Sequence, residues 1–157
     1  MILAIQDWEF DIDMDRTREH AAFAAEDHCT CAYCENYYRG SRLCYPGLKP
    51  FLAGFGLNSD GPVEMYPFEP TLYLAGYRVT GSILRYGTAP IMVDGIPVTA
   101  QPREDGYFML EVGDMPLPWL MFQDPEEVVS PANEPEFLLK MYRKMQERTG
   151  CIPSISS

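Results

Sequence analysis

Three thiols fall within six positions in the run His28-Cys29-Thr30-Cys31-Ala32-Tyr33-Cys34. Thiolates this close repel one another, so such a cluster implies either a soft metal that neutralises them or a redox pair that uses them. Cys29 and Cys31 are two apart and point the same way from an extended segment. Cys34 falls in the first turn of a helix expected over 32–39, so the spacing predicts that the three sulfurs converge. The positive end of that helix favours thiolate over thiol, which is the form that binds metal.

Zinc in a closed structural site takes four ligands, so a fourth must join Cys29, Cys31 and Cys34. Cys44, ten residues past Cys34, is the first choice, provided that the short helix turns back. His28 is the second. Its adjacency to Cys29 makes sharing one ion awkward for the backbone, and it can instead hydrogen-bond to a sulfur. His20 and Cys151 are more distant candidates. The competing chemistry is disulfide exchange through Cys31-Ala32-Tyr33-Cys34, with Cys31 as nucleophile and Cys34 as resolving thiol. Against it, residues 21–28 show no buried strand leading into the pair. Inert cysteines are the third reading.

The run His28-Cys29-x-Cys31-x-x-Cys34-x-Asn36-Tyr37, followed by Pro50-Phe51-Leu52 and Phe55-Gly56-Leu57, resembles small bacterial proteins with no assigned function. The resemblance covers about the first third of the chain. It implies that the cysteine segment and the helix after it form one unit, and it brings no substrate or cofactor.

The elements that must position these groups belong to a chain of 157 residues, which fits one domain. Residues 28–44 are expected to form a metal-bound subunit within it. Hydrophobic residues make up 46% and aromatics 13%, enough for a packed core. The 12 glycines and 14 prolines argue for short elements and many turns. The expected fold is α+β, a twisted antiparallel sheet or meander of five to seven strands with about three helices, one of them C-terminal.

With 23 acidic against 12 basic residues, the net charge of -11 disfavours nucleic acid and anionic membranes and leaves basic protein partners open. The N-terminal segment lacks a basic region and an apolar run long enough for a signal peptide, and no later run suits a bilayer span. A cytoplasmic location is expected, where thiols stay reduced.

Residues 7–15 alternate Asp7, Glu9, Asp11, Asp13 and Asp15 with Trp8, Phe10, Ile12 and Met14, which predicts a strand with one apolar and one acidic face. That acidic face is either solvated charge or a docking strip for a basic partner. It is no calcium loop, because Arg16 replaces the required glycine and Ala22 the closing glutamate. Leu48, Phe51, Leu52 and Phe55 carry helical spacing, with Pro50 in the first turn and Gly56 at the end. Residues 58–70, with three prolines, read as an irregular connection.

Strands are expected at 72–79 and 81–86, with a bend at Gly76 or Gly81. Residues 91–93 and 96–99 flank Asp94-Gly95, a type I′ hairpin pair. Strand 107–112 and an apolar run at 119–122 follow. Tyr73, Tyr77, Tyr86 and Tyr107 read as core and edge packing rather than as a binding face. A capped helix over 135–149 closes the chain, with Lys140, Arg143, Lys144 and Arg148 on its outer side.

No phosphate-binding loop, paired histidines or acid-base carboxylate pair is visible, so the composition leans away from an enzyme. Three functions follow: a non-enzymatic zinc-stabilised domain that binds another macromolecule, a thiol oxidoreductase, or an acidic inhibitor or immunity-type protein using the Asp7–Asp15 strip.

Overall fold

The computed structural model describes residues 1–121. In chain order these form β1 (Ile2–Ile5), β2 (Trp8–Ile12), α1 (Met14–Glu26), α2 (Ala32–Cys44), α3 (Leu48–Ala53), β3 (Glu64–Glu69), β4 (Leu72–Arg85), β5 (Ile91–Val93), β6 (Ile96–Pro102) and β7 (Tyr107–Pro116). The fold is α+β, as expected: one seven-stranded sheet and three helices among the described residues. The helix expected over 135–149, the basic residues on it, and Cys151 lie outside the described residues.

The sheet runs β1-β2-β4-β7-β6-β5, with β3 also paired to β4, and its pairs are antiparallel. Strand β4 is long enough to hold two neighbours in succession on one edge. Residues 72–76 pair with β3, and 81–85 pair with β2. Between them α1 reaches in, where Thr17 Oγ1 accepts from the Thr80 N–H at 3.0 Å and donates to the Asp13 carbonyl at 2.7 Å. Backbone groups left between the two paired stretches are thereby partly satisfied.

The alternation in β2 decides its faces. Trp8, Phe10 and Ile12 are buried, while Asp11 is exposed. The strand stops sooner than expected, however. Asp13 caps α1 instead of continuing β2, its carboxylate accepting from the Arg16 N–H at 3.1 Å, so Met14 and Asp15 begin a helix. A local side-chain hydrogen bond outweighs a period-two pattern there.

One face of the sheet packs on α2 and α3 to make the core. Phe10 stacks on Phe108 and meets Phe55 edge-on, both at 5.3 Å between centroids. Tyr73 and Tyr77 are fully buried, as core packing requires, whereas Tyr86 is exposed beside Trp8. Buried hydroxyls need partners. Tyr77 donates to the Ser59 carbonyl at 2.7 Å, so at the 2.7 Å contact between the two phenols Tyr37 is the donor.

Three further expectations change. Helix α2 continues past residue 39 to Cys44, because Gly40 is packed beneath Leu117, where a Cβ would come within 3.1 Å of Leu117 Cδ2. Residues 64–69 form β3 rather than an irregular connection. Pro67 is tolerated because the ladder shifts register just after it and, among the described residues, β3 pairs only with β4. The two strands expected at 72–79 and 81–86 are one strand, bent at Gly81, whose φ of +146° brings it against β2 where a Cβ would meet the Asp11 carbonyl at 2.0 Å. Residues 119–121 carry no strand. The Asp94-Gly95 hairpin is as expected, with φ of 50° and 82°.

Candidate metal centre

The cysteines occupy the corner where α1 ends and α2 begins. Asp27 closes α1, its N–H bonded to the Phe23 carbonyl, and Cys31 is the N-cap residue of α2, with extended φ and ψ of −64° and 161°. Residues 28–31 between them form no helix or strand. Cys34 is then in the first turn of α2, facing inward and buried, while Cys31 is half-buried and Cys29 exposed. The three sulfurs all lie within 4.8 Å of one another, so the group can hold a metal ion. This convergence is the one expected from the spacing.

Their environments differ. The Cys31 N–H donates to Cys29 Sγ at 3.5 Å, and this contact holds the Cys29 thiol below its usual pKa. Burial pushes the Cys34 thiol far up, with the charge of Cys31 adding to it. One sulfur is therefore biased toward thiolate at the surface, and another stays protonated inside until a cation compensates it. Of the expected redox pair, Cys31 is not the exposed thiol; that place belongs to Cys29.

Sequence spacing failed for the preferred fourth ligand. Cys44 is the last residue of an unbroken α2, so the helix that was to turn back instead carries it roughly 15 Å along the axis from Cys34. His20 is on α1 and lines a different cleft, with Phe23 and Arg78. His28 lines the same cavity as Cys29, Cys31 and Cys34, about 310 Å³ in volume and walled on the far side by Met65 and Pro67 of β3. Its Nδ1 is buried without a hydrogen-bond partner, a state that costs about 1–3 kcal/mol for a polar group.

Tyr38, within the helix expected over 32–39, organises the corner. One helical turn beyond Cys34, its hydroxyl donates to the Cys29 carbonyl at 3.1 Å and its ring lies 4.9 Å from the His28 imidazole. The i, i+4 spacing of Cys34 and Tyr38 was the available signal. Asn36, part of the same sequence motif as the cysteines, donates to Tyr73 Oη and to the Pro118 carbonyl, and accepts from the Leu120 N–H at 2.6 Å, pinning α2 to the end of the described chain.

Asp7, Glu9, Asp11 and Asp13 of the acidic strip have partners within the molecule. Asp7 accepts from the Thr88 N–H and hydroxyl, which hold its carboxyl below the usual range. Glu9 faces Arg85 at 3.6 Å, Asp11 the N-terminal amine at 3.3 Å, and Asp13 caps α1.

The fold and site together define an α+β protein with a three-cysteine group able to hold a metal ion. Compared with protein-family models, curated proteins and solved structures, the chain gives no significant match. Among the described residues, no helix is long and apolar enough to cross a membrane.

Proposed function

We propose that this chain is a non-enzymatic, zinc-stabilised cytoplasmic domain that works by binding another macromolecule. The observation that carries the reading is the mutual approach of Cys29, Cys31 and Cys34 to within 4.8 Å at the junction of two helices. Soft thiolates at this separation suit zinc, whose bonds to sulfur are about 2.3 Å long. An ion there ties the 28–31 loop to the first turn of α2 and contributes directly to folding. The net charge of -11 favours a basic protein as the partner. The exposed Phe23 and Val63, which line the cleft next to the cysteine cavity, supply apolar surface for it. Thermal melting of reduced protein tests the zinc reading: zinc raises the midpoint and a chelator lowers it, and a midpoint indifferent to both refutes it.

One observation favours a second reading. An exposed thiol of lowered pKa beside two others is the arrangement of a disulfide exchanger. Here Cys29 thiolate attacks a substrate disulfide, forming a mixed disulfide and releasing one substrate thiolate. The Cys31 sulfur then displaces the second substrate sulfur, which leaves with the proton, and an intramolecular Cys29–Cys31 disulfide remains. A Cys29 that reacts with a disulfide reagent no faster than free cysteine at the same pH removes this reading.

A further inference from the structure

The geometry points to His28, through Nδ1, as the fourth ligand of a site formed with Cys29, Cys31 and Cys34, an inference that rests on the zinc reading. Three sulfurs leave a tetrahedral ion one ligand short. Among the described residues, Cys44 is at the far end of α2 and His20 lines another cleft, whereas His28 lines the cysteine cavity itself and its Nδ1 is buried with no partner. With the ring swung toward the sulfurs, a zinc ion in that cavity supplies the missing partner.

Adjacency to Cys29 is the obvious objection, since neighbouring side chains diverge in an extended backbone. The backbone here is not a strand, and a single residue organises both neighbours. Tyr38 holds the Cys29 carbonyl with its hydroxyl and packs its ring against the His28 imidazole at 4.9 Å. His28 stands outside the group of ligand atoms within 4.8 Å of one another. Ligation therefore requires its ring to swing toward the sulfurs. With the ring proton on Nε2, Nδ1 offers its lone pair to the ion, while the three thiols release their protons to solvent.

The chain contains only two histidines, which makes the test simple. Long-range proton–nitrogen spectra of the full reduced chain are recorded with and without zinc, and His20→Ala assigns the two rings. The expected result is a zinc-dependent shift of Nδ1 in the ring that remains in His20→Ala. X-ray absorption at the zinc edge should show three sulfurs at about 2.3 Å and one imidazole nitrogen at about 2.0–2.1 Å. His28→Ala should weaken zinc binding by about 100-fold or more, beyond the 10–100-fold typical of groups that only support a ligand. Zinc held with neither imidazole shifted, or with four sulfurs, overturns His28 as ligand and leaves the cysteine site standing. A wild-type chain that takes up no zinc overturns both.

Discussion

Two regions of this molecule treat buried polar groups in opposite ways. Between the sheet and α2, polar side chains are satisfied from within: Asn36 uses both donors and its acceptor, and Tyr37, Tyr73 and Tyr77 each find a partner. At the cysteine corner one end of the same helix leaves His28 Nδ1 unpartnered and brings three sulfurs together. The first region is complete as a polypeptide, since burial and hydrogen bonding there balance without outside help. The second leaves a buried ring nitrogen without a partner beside a three-cysteine group able to hold a metal ion. Both regions draw on the 13 residues of α2.

The comparison breaks most severely in the core. Phe10→Ala removes a fully buried ring packed between Phe55 and Phe108, and should cost about 3–5 kcal/mol in urea denaturation whether or not zinc is present. At the corner, Cys29→Ser alters an exposed side chain and disturbs no packing. At zinc 100-fold above its dissociation constant, the variant should lose about 2.7 kcal/mol of apparent stability relative to wild type, and nothing in chelator. Equal losses in both conditions would mean that Cys29 is merely structural.

Asn36→Ala leaves the Leu120 N–H without its partner and the Tyr73 hydroxyl without its Asn36 donor, so a cost of about 1–3 kcal/mol is expected, independent of zinc. Titration with pH sharpens the contrast further. Burial raises the Cys34 pKa, so zinc must expel a proton to bind that sulfur, and affinity rises with pH. Calorimetry in buffers of different ionisation enthalpy counts the protons released. The core responds in the other direction. Burial raises the pKa of Tyr37, Tyr73 and Tyr77 above the ordinary 10.0, so their contribution is complete below that pH and is lost as pH climbs above it. Denaturant titrations at rising pH show the loss as a falling midpoint.

Local rules carried much of the fold. The alternation around Phe10 marked a half-buried strand, and Asp94-Gly95 marked a hairpin, because both depend on neighbours in sequence. What escaped depends on neighbours in space. Gly40 reads as a helix end until Leu117 lies over it. Pro67 argues against a strand until β3 is seen to pair on one side. The site divides along the same line. Cys29, Cys31 and Cys34 are close in the chain and were legible together. The choice of Cys44 depends on a turn back toward the cluster, and α2 runs unbroken to Cys44 instead. For Tyr38 the spacing from Cys34 places it beside the cluster, but its contacts with His28 and Cys29 depend on how the 28–31 loop folds back.

The central claim is that the three sulfurs take up one metal ion. Native mass spectrometry of the reduced 17.9 kDa chain equilibrated with zinc measures this directly. The account predicts one zinc per chain in wild type and none when Cys29, Cys31 and Cys34 are all replaced by serine. A wild-type chain that keeps the bare polypeptide mass at saturating zinc would contradict it.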